Sequence, residues 1–442
     1  MRMPRMRAGR MLTAVALGLA TAATLSQQAS VAVGQQTPPV AGAQTPPPGG
    51  RQAGPRGGGR GQNVPGSFQR VPPLPFPDMP RNLEMSGTQF RVVPVVKGLE
   101  HPWSMAFLSD GDMLVTEKLG RLRIVRKGTL QPQPIAGVPL VWTTGQGGLL
   151  EVLPHPRFAE NHFVYLTYSK PCETGATTAL FRGRFDGKAL TDGRDLFVAD
   201  NCNTGNPHFG SKLAFGPDGM LYMTIGERGD RNRAQNTAIH GGKILRLKED
   251  ATVPADNPFV GKEGYKPEIF TYGHRNPQGL AFHPQTGALW DNEHGPQGGD
   301  ELNIIQAGKN YGWPVATYGR EYPPDGALVS PHPSKDGIED PMLVWLPSIG
   351  ISGLIFYTGD AFPQWKGNMF AGALSGLALH RIGFNEKGGL MGREALLTEL
   401  RQRVRDVRQG PDGYIYVAID ATAGGILRLE PVAAPTSPAG AR

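Results

Sequence analysis

Apolar positions along this chain fall in short runs that alternate with polar ones, and each run follows a turn built from Pro, Asp or Gly. Phe107-Leu-Ser-Asp-Gly-Asp-Met-Leu-Val-Thr is the first such phrase, followed by Leu153-Pro-His-Pro-Arg-Phe leading to Phe163-Val-Tyr-Leu-Thr-Tyr, and by Phe215-Gly-Pro-Asp-Gly-Met-Leu-Tyr-Met-Thr. It returns at Phe282-His-Pro-Gln-Thr-Gly-Ala-Leu-Trp, more loosely at Phe356-Tyr-Thr-Gly-Asp leading to Asn368-Met-Phe-Ala-Gly, and at Gln409-Gly-Pro-Asp-Gly-Tyr-Ile-Tyr-Val-Ala, giving six copies. An apolar residue, a tight turn and then period-two apolar residues predict a β-hairpin. Second hairpins follow at Gly120-Arg-Leu-Arg-Ile-Val, Gly242-Lys-Ile-Leu-Arg-Leu and Gly425-Ile-Leu-Arg-Leu, while amphipathic helical periodicity is nearly absent.

Hairpin repeats roughly 45 to 70 residues apart suit a β-propeller, whose blades of about four strands surround a channel. The expected fold is all-β, a six-bladed β-propeller. A pair of β-sandwiches is the alternative, but it leaves the repeated phrase unexplained. In a propeller the connections between blades gather at one mouth, so residues distant in sequence can face a common ligand.

Composition divides the chain further. Arg2, Arg5, Arg7 and Arg10 precede an apolar run from Met11 to about Leu25 and small residues at Ser30-Val31-Ala32. This order predicts a signal peptide over residues 1–32 and export to the periplasm or medium, with no stable membrane insertion, since the run is shorter than the roughly 20 residues of a span. Residues 33–82, rich in Pro, Gly, Gln and Arg, predict a disordered tether; residues 83–432 hold the propeller and 433–442 a disordered tail. The first eighty residues contain eight arginines and one acid, Asp78, a surplus equal to the whole chain's net charge of +7. The folded part is therefore near neutral, and no basic stripe for nucleic acid is expected. Cys172 and Cys202 are the only cysteines, and in an exported chain such a pair predicts a disulfide.

The residues that suggest chemistry are concentrated between Tyr272 and Trp313: Gly273-His-Arg-Asn-Pro-Gln-Gly, then Glu293-His-Gly-Pro-Gln-Gly-Gly-Asp-Glu, then Gly308-Lys-Asn-Tyr-Gly-Trp-Pro. With Thr144-Gly-Gln-Gly-Gly-Leu-Leu, Asn206-Pro-His-Phe-Gly-Ser-Lys and Arg401-Gln-Arg-Val-Arg-Asp-Val, these phrases resemble the soluble sugar dehydrogenases that depend on pyrroloquinoline quinone (PQQ), the glucose/sorbosone and aldose sugar dehydrogenase family of six-bladed propellers. The resemblance runs from about Phe90 to Leu429.

It implies PQQ and Ca2+ as cofactors, an aldose sugar as substrate, and an external quinone or cytochrome as electron acceptor. His208 matches the general base that takes the proton of the sugar C1 hydroxyl, a role suited to imidazole. Arg275 and Asn276 match residues that contact the quinone carbonyls. Gly295 and Pro296 match carbonyl ligands of the catalytic calcium, and Asp300, Glu301 and Tyr311 match a separate structural calcium site of some members. Arg403 and Arg405, on one face of a strand by alternation, match the arginines that pair with cofactor carboxylates, whereas Arg401 and Arg408 read as a solvated basic edge. Gln146 matches a glutamine at the mouth near the base, though its Gly-rich setting equally suits a tight turn between blades.

Two departures stand out. Ser375 lies where several members carry a cofactor-contacting lysine, with Ser348 at an expected hydroxyl contact that partly compensates, and Pro207 replaces an acid found in the glucose enzymes. Two other functions compete with sugar oxidation. One is a calcium-dependent sugar lactonase, which has no use for paired arginines, and the other is a catalytically silent propeller that binds a glycan or protein.

Overall fold

A computed structural model describes residues 73–432 apart from 86, 324 and 325. The expected signal peptide, the tether as far as residue 72 and the tail at 433–442 lie outside the described residues.

Six antiparallel sheets form the six-bladed β-propeller expected from the repeat. Five have four strands; the sixth has five and joins both ends of the folded region. Each copy of the repeated phrase spans the turn between the innermost two strands of a blade. The innermost strands are Pro102–Phe107, Leu149–Pro154, Leu213–Phe215, Pro277–Phe282, Ile351–Phe356 and Val404–Gln409, and they define blades 1 to 6 in that order. In blade 6, Thr88–Leu99 pairs with Gly424–Pro431, Val92 opposite Leu429, so a strand from the beginning of the folded region closes the ring. Arg81–Met85 adds a fifth strand outside it.

The described end of the expected tether, residues 73–82, is mostly exposed but is held to the propeller at a few points. Leu74 donates its N–H to the Arg401 carbonyl at 3.3 Å, Gln402 Nε2 reaches the Leu74 carbonyl at 2.8 Å, and Phe76 packs on the apolar cluster around Phe90 and Trp365. A Pro-rich segment has few backbone donors to satisfy, so it can dock in extended form through a few anchors.

Alternation of polar and apolar residues gives way to complete burial in the second strand of most blades. Met113–Glu117, Leu221–Ile225, Leu289–Glu293, Met369–Ala373 and Ile415–Ile419 are buried throughout, because a neighbouring blade covers each face of the sheet. Polar residues in such strands need partners, and Glu117, Asp291 and Glu293 are among them.

Four charges on or beside the inner strands of three blades sit within the ring. Lys212 Nζ lies 2.7 Å from Glu151 Oε2 and 2.9 Å from Asp406 Oδ1, and Arg408 bonds both acids. Burial pushes the Asp406 carboxyl up, but Arg408 and Lys212 outweigh it and hold its pKa below the usual range. Arg408 is thus part of a neutral, largely buried group, which corrects its reading as a solvated edge; a register shift between Val404 and Asp406 breaks the alternation that would have set it opposite Arg405.

Candidate functional site

In an antiparallel blade, the beginning of the first strand and the end of the second lie at the same mouth of the channel. That rule collects the site. Gln146, His208, Arg275, Ser348 and Arg403 each precede or open an innermost strand, while Lys118, Glu227, His294, Ser375 and Asp420 each follow a second strand.

A cavity of about 280 Å³ opens at this mouth, with Trp103, Lys118, Gln146, His294, Arg403 and Arg405 in its wall. Arg405 is buried, its guanidinium 4.5 Å from the centre of the Trp103 ring, and it donates to Gln278 Oε1. No carboxylate among the described residues pairs with it, and burial holds its pKa down at about 10. Arg403 instead forks onto Asp420 through Nε and Nη2 at 3.1 and 2.9 Å. Asp420 also meets His101 Nδ1 at 2.7 Å.

His208 stands in the loop before the blade 3 inner strand. Its φ of 56° is unusual for a residue with a side chain. Its N–H donates to Gln146 Oε1 at 2.9 Å, so Gln146 staples two inter-blade loops together. Gly226 makes the loop's approach possible, since a Cβ there would lie 2.2 Å from the His208 carbonyl oxygen. Arg228, stacked 3.4 Å from the centre of the Phe209 ring, bonds the Pro207 and Gly205 carbonyls of the same loop. The Cys172–Cys202 disulfide, as expected from the sequence, anchors the chain just upstream.

Glu227 Oε1 lies 2.8 Å from His208 Nδ1. Burial pushes the Glu227 carboxyl up, but the bond to His208 outweighs this and keeps it low. Burial and then the nearby Arg275 charge hold the His208 pKa below its ordinary value. An ionised Glu227 places the imidazole proton on Nδ1 and leaves Nε2 as a lone pair, the form a general base needs.

Beyond His294 lies a second, much smaller cavity of about 10 Å³, walled by Arg275, Glu293, Gly295, Glu301, Tyr311 and Trp313. Of the expected residues, Gln146, Arg403 and Arg405 line the larger cavity and Arg275, Gly295, Glu301 and Tyr311 the smaller, while His208 is at the mouth without lining either. His294 is the partition: its Nε2 donates to the Ile351 carbonyl at 2.6 Å, and burial with Arg405 and Arg275 near it pushes its pKa down to about 3. Arg275 donates through Nη1 to the His294 and Gly295 carbonyls at 3.1 and 2.9 Å and stacks on Trp313.

Several expected ligands are engaged in other ways. Asn276 is fully buried, its Oδ1 accepting from Gly210 and Gln278 and its Nδ2 3.3 Å from His294 Nδ1. It locks loops together and does not line either cavity. The Asp300 carboxylate accepts the N–H groups of Gly295, Ile349 and Ile351 at 2.9 to 3.0 Å, so it organises the loops around it. The Tyr311 hydroxyl donates to the Ile304 carbonyl at 2.7 Å and accepts from the Gln306 N–H, which commits its side chain. Ser348 Oγ accepts the Asp300 N–H at 3.2 Å, and Ser375 is exposed. Pro296 is buried, and a Cβ at Gly319 would lie 2.5 Å from its ring.

Glu301 does adjoin a cluster of buried acids. Asp291, with no exposed surface, has neither carboxylate oxygen hydrogen-bonded among the described residues, and His274 Nδ1 lies 3.7 Å from its Oδ2. Glu293 Oε1 lies 3.1 Å from His274 Nδ1, and one ligand atom each from His274, Asp291 and Glu293 falls within 4.8 Å of the others. Burial and then the Glu293 charge raise both Asp291 and Glu301 well above the usual carboxylate range.

The profile of the glucose / sorbosone dehydrogenase family matches residues 99–428. The chain belongs to that family. Aldose sugar dehydrogenase YliI of Escherichia coli is 44% identical over 339 residues, which cover 75% of this chain and 91% of that one. A crystal structure of a glucose dehydrogenase superposes with a TM-score of 0.75 at 45% identity, covering 78% of this chain and 99% of the other. The PQQ-bound aldose sugar dehydrogenase of Streptomyces coelicolor gives a TM-score of 0.64 at 28% identity, covering 80% and 99%.

Sequence reasoning missed Glu227, Lys118, His294, Asp420 and Trp103. The first four share one signal: each follows the second strand of a repeat by one or two residues, at the mouth.

Proposed function

We propose that this protein is an oxidoreductase that converts aldose sugars at C1 to their lactones, using PQQ and calcium and passing electrons to an external quinone or cytochrome. Arg405 carries the reading. A guanidinium buried in a cavity wall without a carboxylate partner is costly unless a ligand supplies the anion, and a polycarboxylate such as PQQ does so. Paired arginines find no use in a lactonase.

PQQ, when bound, takes up the two electrons that leave the sugar C1 as hydride, and calcium on the Gly295 and Pro296 carbonyls supplies Lewis-acid polarisation. Every other part of the reaction is assigned to side chains of this chain. His208 Nε2 accepts the C1 hydroxyl proton, and Glu227 steadies the imidazolium that results. Arg275, fixed against Trp313, offers preorganised positive charge where electrons accumulate. Arg403 and Arg405 hold cofactor carboxylates. Asn276 has no cofactor contact in this reading, because its side chain is engaged between loops; Ser348 and Ser375 offer hydroxyls at the mouth but no charge. The Gly295 carbonyl already accepts from Arg275 and has its second lone pair for the cation. A second calcium is assigned to Glu301, Asp291 and Glu293, where a cation would offset the burial and mutual repulsion that raise Asp291 and Glu301.

The N-terminal pattern and the disulfide support a periplasmic or secreted location. No helix among the described residues is long and apolar enough to cross a membrane.

The protein freed of cofactor should gain dye-linked oxidation of aldoses when PQQ and calcium are added together. No oxidation of any aldose under those conditions would reject the proposal.

A further inference from the structure

Lys118 is the one cation in the wall of the larger cavity that the proposed function leaves without a task. It follows the second strand of blade 1 and shares the wall with Arg403 and Arg405. Its Nζ donates to the Gly145 carbonyl at 2.5 Å, and no carboxylate among the described residues lies within ion-pair distance of it. Asp420, the one acid in that wall, is already bonded by Arg403 and His101. The stem of Lys118 is fixed by its surroundings. Its N–H donates to the His101 carbonyl at 3.0 Å, its carbonyl accepts from Leu149 at 3.1 Å, and a Cβ on Gly148 would come within 2.6 Å of its Cγ. Glycine at 148 thus leaves the space through which the lysine side chain runs along the cavity wall. Three fixed cations facing a single committed acid leave this cavity with a surplus of positive charge.

We infer that Lys118 binds a carboxylate of the anionic cofactor, so that the third cation of the cage comes from blade 1 while the blade 5 position holds the exposed Ser375. This rests on the proposed PQQ site. The lysine is half-buried, where a charge-assisted bond to a carboxylate gains more than it would in open water. It also gives Lys118 a reason to remain in a wall where burial, Arg405 and Arg403 all push its pKa below the usual lysine value, with only Asp420 opposing them. An anion arriving beside it reverses that pressure.

The test is a titration of cofactor-free protein with PQQ, read through quenching of tryptophan emission, for the unaltered protein, Lys118→Gln and Lys118→Arg. Binding should weaken roughly tenfold or more in Lys118→Gln and be largely kept in Lys118→Arg, which retains the charge. The trimethyl ester of PQQ, which has no carboxylate charge, should bind all three proteins alike, and added salt should weaken Lys118→Gln less steeply than the parent. Thermal melting of the free variants establishes that they are folded. Equal PQQ affinity in Lys118→Gln and the parent would overturn the inference while leaving the proposed function standing. Failure of the parent to bind PQQ at all would overturn both.

Discussion

Glu227 Oε1 and His208 Nδ1 lie 2.8 Å apart in a buried pocket, on two segments that the blade 3 hairpin brings together at the mouth. The contact fixes which imidazole nitrogen holds the proton, and so makes Glu227 a positioning residue for the base. Glu227→Gln should lower kcat by roughly a hundredfold, in the range expected when a general base is disabled. His208→Ala should lose most activity, and the double variant should be no worse than His208→Ala alone. Additive losses in the double variant would separate the two residues.

Acid sensitivity follows from the same pair. Burial and Arg275 lower the His208 pKa, so the neutral base persists at a pH where ordinary histidines, titrating near 6.5, are already half protonated. Activity should therefore fall only as pH drops below about 6.5, and Arg275→Met should move the midpoint upward. The stability contribution has the same sign: the unfolded chain binds this proton more readily, so acidification through that window destabilises the fold. A kcat/KM midpoint above the usual imidazole value would contradict the assignment.

The Cys172–Cys202 bridge closes a loop with a sequence separation of 30 and anchors the segment that Arg228 clamps beneath His208. Replacing both cysteines by serine should cost roughly 3 to 4 kcal/mol of stability from loop-closure entropy. Denaturant midpoints of the parent and double variant measure it directly. Unchanged midpoints would show that the bridge constrains nothing.

Asp291, Glu293 and Glu301 form a buried acidic group on which calcium should act as a structural counter-ion. Adding calcium to chelator-treated protein should raise Tm, and Asp291→Asn should raise the Tm of the metal-free protein while shrinking the calcium shift. A Tm indifferent to calcium in the parent would remove the second cation from the account.

The hairpin phrase made the blades legible because it is local: apolar residue, tight turn and alternation occur within about ten residues. Ring closure by Thr88–Leu99 was not legible, because its partner lies more than three hundred residues away and no local pattern announces it. The site divides in the same manner. His208, Arg275, Arg403 and Arg405 were visible as motif residues, whereas Lys118 and Glu227 acquire meaning only from what the fold places beside them. Asn276, Asp300 and Tyr311 show the converse, since loops packed against loops occupy their polar atoms. Arg408 reads as a surface charge until the fold brings Glu151 of another blade to it, beside Asp406 of its own strand.

Absorbance titration of the cofactor-free protein with PQQ, with and without calcium, tests most directly whether Arg405, which has no carboxylate partner among the described residues, receives a polyanionic quinone. Saturable binding that tightens with calcium and weakens strongly in Arg405→Met is the predicted result. Absence of binding at high micromolar PQQ in the presence of calcium would contradict the account.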